Sequence, residues 1–276
     1  MRILKLTIVG LIALATVQLC GAQTLFTDVM ARYNWSNKDR YMYTVWVKLD
    51  LNDSSKQLIV QSKERPLDVK YDDVKKVILD QQWNFVYLEY RKADGSTNPY
   101  ILWVDPKIWD KVIERIKGAF GERVSLFSPL VGTKIDKDTL KKDPSSYSVK
   151  VDKQNRPMGE IKPGKALIVL VCLPFHYRAT GQGKEFKLRA NDEVVVAYKM
   201  GTYGFAYLDP GEYEFMSVAD HASTLKLKVE AGKDYYLLQD TKVGFRTYTP
   251  ELSVRPKELV LYELNGTFYA DWKKKK

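Results

Sequence analysis

Histidine and cysteine are nearly missing from this chain: two of each in 276 residues. His176 and His221 stand in no metal-ligand spacing with each other or with a cysteine, so a zinc site of the usual kind has no donors to build on. Both read as loop or packing histidines. There is no Gly-x-Ser-x-Gly elbow and no His-Glu-x-x-His pair. Gly181-Gln182-Gly183-Lys184 begins like a phosphate loop but lacks the rest of the spacing and a helix to receive the phosphate. Glu212 and Glu214 share one face of a strand, and that face reads as the solvent side of a sheet rather than an acid/base pair. The expected inventory of catalytic, cofactor-binding and metal-binding residues is therefore empty, and the chain reads as a non-enzyme.

Long apolar runs are also scarce. Past residue 22 the longest, Ala166 to Pro174, is strand-sized, well short of the roughly 20 residues a spanning helix needs. The one other apolar stretch is at the start. Arg2 and Lys5 precede an almost uninterrupted apolar segment, Leu6 to Leu19, and Cys20-Gly21-Ala22 supplies small residues for cleavage between Ala22 and Gln23. Residues 1–22 thus read as a signal peptide, and the protein as exported: periplasmic, outer-envelope-associated or secreted. A second processing route, lipid attachment at Cys20, would leave it anchored instead. Cleavage at Ala22 leaves Cys172 as the sole cysteine, so no intrachain disulfide can form and the core must carry the stability.

The charge is positive, +10 over the chain, and Arg2 and Lys5 account for two of those charges. The lysines are scattered among acidic neighbours apart from Lys273 to Lys276, so the balance does not outline a nucleic-acid footprint. Residues 266–276 read as a basic, solvated tail, with weak membrane-surface contact as its functional alternative.

What is abundant is tyrosine, 18 residues, which favours pleated, half-buried surfaces. Residues 41–51 and 57–61 flank the polar cluster Asn52-Asp53-Ser54-Ser55 and predict a hairpin. Val74, Val77 and Ile78, with Tyr71 before them, recur at helical spacing and predict a short amphipathic helix. Trp83 to Arg91 and Tyr100 to Val104 predict a second hairpin around Asp94-Gly95. Asp105-Pro106 then opens a helix carrying Ile108, Val112 and Ile116, which Gly118 or Gly121 can stop. The expected order over residues 23–130 is ββαββα, an α+β domain. Residues 131–161 lose all periodicity and read as a linker, with one short strand around Tyr147 to Val151. Tyr33, Trp35, Tyr41 and Tyr43 could form an aromatic binding surface, but fit the sheet of the first domain as well. Asn34, Asn52 and Asn265 each open an N-glycosylation sequon, relevant only in a host that glycosylates.

From residue 162 to 265 the period is two. Lys165 to Leu173 is a buried strand, Phe186 to Arg189 and Glu193 to Tyr198 flank a turn, and Leu225 to Glu230 alternates without a miss. Glu258 to Leu264 supplies a last strand. Seven or eight short strands predict an antiparallel β-sandwich, so the whole chain reads as mainly β with an α+β N-terminal domain. The opening KPGKALIVLV, the stretch GTYGFAYLDPGEYEF and the strand AGKDYYLL together resemble a family of bacterial exported domains of unknown function, small transthyretin-like β-sandwiches. The resemblance covers residues 162–263 and implies a scaffold, often lipid-anchored at the envelope. The expected partner is then an envelope protein or polysaccharide, with no cofactor. The competing expectation is a hydrolase-like enzyme using Asp209, His176 and Arg178 between the two domains.

Overall fold

A computed structural model describes residues 23–34, 42–135, 146–173, 185–244, 247–264 and 266–275. The leader with Cys20 and Ala22, and likewise Trp35, Tyr41, His176, Arg178, the 181–184 loop and Asn265, lie outside the described residues. The fold is mainly β and divides into two compact units, one drawn from residues up to Ser128 and the other chiefly from Pro129 onward.

The first unit holds strands β1 (Gln23–Asn34), β2 (Met42–Asn52), β3 (Gln57–Gln61), β4 (Leu67–Lys70), β5 (Val74–Asp80), β6 (Phe85–Arg91), β7 (Thr97–Val104) and β8 (Val124–Phe127), with helix α1 (Trp109–Phe120) between β7 and β8. They form one sheet in the order β4-β3-β2-β1-β7-β6-β5-β8. The expected hairpins are there as β2–β3 and β6–β7.

Strand order dictates the shape of this sheet. β4 and β5 are joined by only Tyr71–Asp73, yet lie six strand positions apart. Six spacings in a flat sheet cover about 29 Å, whereas four Cα–Cα steps of extended chain reach about 14 Å at most. The sheet therefore has to curl until β4 comes round towards β5. Helix α1 fills the concave side, where Trp109, Val112, Ile113, Ile116 and Phe120 join Leu49, Leu58, Leu79, Leu88 and Leu102 in one core.

Two polar anchors fix the helix in place. Arg115 bonds Thr24 Oγ1 at 3.0 Å and the Leu51 carbonyl at 3.1 Å, and pairs with Asp53 at 2.7 Å. Arg123, just past the helix, donates to the Tyr71 and Val74 carbonyls at the β4–β5 corner. Gly121 ends α1 with φ of 53°, donating its N–H to the Lys117 carbonyl.

The helix expected around Val74 and Ile78 is instead strand β5, preceded by one 3-10 turn. Its register slips between Val74 and Lys76. A bulge inserts one residue, so the core-facing Val74 and Val77 fall three apart and imitate a helical period.

Tyr71 lies beneath this corner, its ring edge-on to Phe120 at 5.0 Å and its hydroxyl 3.4 Å from Asp53. Burial, then the nearby Asp53 carboxylate, push its pKa up to about 12. The neutral phenol is thus favoured by the fold. Its contribution is intact below the unfolded value of about 10 and is lost as pH rises from there towards 12. The urea midpoint of this unit, read by tryptophan fluorescence, should fall between about pH 10 and 12, and Tyr71→Phe should flatten the fall. Equal slopes in both proteins would contradict the assignment.

The second unit holds β9 (Thr133–Ile135), β10 (Tyr147–Asp152), β11 (Ala166–Cys172), β12 (Glu185–Ala190), β13 (Glu193–Lys199), β14 (Thr202–Leu208), β15 (Gly211–Val218), β16 (Ala222–Val229), β17 (Asp234–Gly244), β18 (Thr247–Val254), helix α2 (Lys257–Leu264) and β19 (Phe268–Lys274). A six-stranded sheet, β10-β19-β14-β11-β17-β18, and a five-stranded sheet, β13-β12-β15-β16-β9, contribute to one core that includes Ile168, Leu170, Phe186, Phe215 and Leu237. β11 is buried throughout, as its unbroken apolar run requires.

Several expectations for this unit are corrected. Among the described residues, 162–265 hold eight strands, β11 to β18, within the expected number, and β9, β10 and β19 join them from outside that range; the six-stranded sheet is mixed rather than antiparallel, with β11 parallel to β17 and β14 parallel to β19. The strand expected at Glu258 to Leu264 is α2, which follows Pro256; so short an apolar run does not distinguish the two states. The expected basic tail is β19, whose Ala270 is buried and whose Trp272 packs on Tyr147 at 5.7 Å.

The expected linker 131–161 also belongs to this unit. β9 pairs with β16, Val131 bridges to Ser253, and β10 pairs with β19. The segment after β10 lies across the outer face of the six-stranded sheet. There Tyr203 bonds the Pro157 carbonyl at 3.1 Å, and Lys162 sits 4.0 Å from the Tyr207 ring. Any Cβ at Gly159 would come within 2.6 Å of Leu167 Cδ1. One face of the segment meets solvent, which explains its polar composition.

Candidate functional site

The curl of the first sheet leaves a groove along its seam. It has a volume of about 700 Å³ and is lined by Gln57, residues 66–70, Asp73 and residues 90–93. One wall is the edge strand β4; the other is the end of β6 with the turn that follows. Leu67 and Val69 point into the core, while Asp68 and Lys70 are exposed. Gln57 Nε2 donates to Asp68 Oδ1 at 3.3 Å. Arg91 bridges Asp73 at 2.8 Å across the corner, and Lys92 is exposed beside it.

Backbone direction matters more here than the side chains. The Tyr71 N–H donates to the Lys56 carbonyl at 2.8 Å, in register with the β3–β4 ladder. Backbone polar groups alternate sides along a strand. Val69 and Leu67 therefore face β3, and the N–H and C=O of Asp68 and Lys70 face away from it. Among the described residues no strand pairs with that edge. An unpaired row of donors and acceptors at the side of an open groove is suited to holding an extended chain.

Within the second unit a buried polar network joins the two sheets. Gln239 of β17 receives hydrogen bonds on Oε1 from Tyr198 of β13 and Ser217 of β15. Its Nε2 donates to Thr241 Oγ1 at 3.2 Å and to Cys172 Sγ at 3.5 Å. Gln239, Tyr198, Ser217 and Cys172 are all fully buried. Burial pushes the Cys172 thiol pKa up, with Asp240 adding to the effect. The thiolate, which is the reactive form, is thereby disfavoured, so this network is a cross-sheet fastening.

Among the described residues, those singled out in the sequence do not converge. Glu212 and Glu214 stand opposite Lys228 and Lys226 on the polar face of β15–β16, an ordinary cross-strand charge pattern. Asp209 is 73% exposed and pairs with Lys165 at 2.8 Å. The His221 backbone lies in the β15–β16 turn, donating to the Tyr248 carbonyl and accepting from Ala219. Asn52 Oδ1 accepts the Ser54 and Ser55 N–H groups in a turn. Among the described residues no three His, Cys, Asp or Glu side chains gather as metal ligands, and no helix is long and apolar enough to cross a membrane.

Sequence reasoning missed the groove. The available signal was Pro66 followed by the alternation Leu-Asp-Val-Lys, since proline beside a short charged strand marks a sheet edge. Compared with known proteins, the chain matches no protein-family model and no curated sequence.

Proposed function

We propose that the protein is an exported, non-enzymatic binding module of the cell envelope, and that the seam groove of its first unit is the binding site. The observation that carries this reading is the unpaired edge of β4 beside an open groove of about 700 Å³. The leader-like residues 1–22, ending in a small-residue cleavage site, support export. In this reading the first unit is an α+β domain in which α1 braces the curled sheet. The second is a β-sandwich scaffold of transthyretin-like style, fastened through Gln239.

The test uses isotope-labelled protein beginning at Gln23, screened against extended peptides and envelope polysaccharide fragments. Binding should shift the amide resonances of residues 66–73 and 90–93 and leave the second unit unchanged. Robust turnover of a small substrate, abolished by one substitution, would sink the non-enzymatic reading. Binding that maps elsewhere would sink the site.

A further inference from the structure

We propose that the β4 edge docks against the β4 edge of a second copy of this chain, forming a two-fold antiparallel strand pair centred on Val69. The inference rests on the groove being the binding site, and it names the occupant.

Three observations select a second copy. The backbone groups facing the groove belong to Asp68 and Lys70, two residues apart. An antiparallel partner centred on Val69 sets Asp68 of one copy opposite Lys70 of the other, and Lys70 opposite Asp68. Each pair can exchange both of its N–H···O=C bonds, giving four backbone hydrogen bonds about the axis.

The side chains obey the same symmetry. Asp68 and Lys70 are both exposed on the outer face, so the pairing places an acid opposite a base twice over, the favourable cross-strand arrangement. An edge of this kind recognises an acidic-x-basic strand, and Asp68-Val69-Lys70 is itself such a strand. A surface that complements itself is what an isologous dimer requires.

Pro66 limits the contact. It occupies the next groove-facing position and has no N–H to give. At the other end the strand stops at Lys70, where the Tyr71–Asp73 turn begins. Pairing is therefore confined to a short, closed contact, with no means of propagating along the edge. So small an interface predicts a weak, concentration-dependent dimer.

The experiment mixes two charge variants of the chain beginning at Gln23. Sedimentation velocity of the wild type up to about 1 mM should show reversible dimerisation. D68K sets a lysine against Lys70 in both pairs, and K70D sets an aspartate against Asp68 in both. Each variant alone should self-associate at least about ten-fold more weakly. Mixing them restores complementary pairs, so a heterodimer should return to wild-type strength. The double swap D68K/K70D should dimerise as the wild type does. Both residues are exposed, so the fold should survive, and unchanged urea midpoints would verify it.

A carbodiimide should also join Asp68 of an isotope-labelled copy to Lys70 of an unlabelled one. A wild type that stays monomeric, or dimerisation that neither variant weakens, would overturn the proposal. If the groove amides still answered an added peptide or polysaccharide, the binding site would stand and only the occupant would fall.

Discussion

Ile116→Ala is expected to destabilise the first unit by about 2–5 kcal/mol. Ile116 is fully buried at the middle of α1, in the same core as Leu49, Leu58 and Leu102. The lost transfer energy is only part of the cost. Arg115 and Arg123 hold the helix to β1, the end of β2 and the β4–β5 corner, so it cannot slide to close the gap, and the cavity persists. Urea unfolding followed by tryptophan fluorescence reads this directly, because Trp46, Trp83, Trp103 and Trp109 all lie in this unit. Glu114→Ala, on the exposed side of the same helix, should change stability by less than about 0.5 kcal/mol. Equal effects from the two substitutions would mean that α1 does not pack as described.

The second large effect belongs to Gln239. Its amide is the common partner of Tyr198, Ser217, Thr241 and Cys172, with every member buried. Gln239→Ala removes that amide and leaves hydroxyls in a dry core, at a cost of about 2–4 kcal/mol. Tyr198 and Ser217 still bond each other at 2.8 Å, so one of their two hydroxyl protons loses its acceptor, and the cavity adds to the cost. The triple change Gln239→Leu, Tyr198→Phe and Ser217→Ala removes the Oε1 acceptor together with its two hydroxyl donors and should lie closer to wild type than Gln239→Ala alone. Thermal unfolding followed by circular dichroism checks the order of the three proteins. A triple variant less stable than Gln239→Ala would contradict the network.

These two sites show where sequence legibility stops. The hairpins β2–β3, β6–β7 and β12–β13 follow from alternation and turn residues, which act locally. The wholly buried β11 follows from its apolar run. β5 did not, because its bulge breaks the period of two, and α2 did not, because eight residues are too few to reveal a period. The polar segment 131–161 resembled a linker because many of its described residues face solvent; the partners that recruit them, such as Ser253 and Trp272, lie more than a hundred residues away. The groove is similarly non-local. Residues 66–70 and 90–93 meet only because the sheet curls, and the curl follows from strand order rather than from any one segment. Gln239 carries no local sign of its role, because Tyr198 and Ser217, which bond its amide, lie 41 and 22 residues away.

Amide hydrogen exchange along β4, resolved residue by residue in dilute protein, tests the open edge most directly. The amides of Val69 and Tyr71 are held by β3 and should exchange at least about ten-fold more slowly than those of Asp68 and Lys70, which face the groove. Uniform protection of all four, or an alternation of the opposite phase, would mean that the edge is closed or turned the other way, and the proposed site would be lost with it.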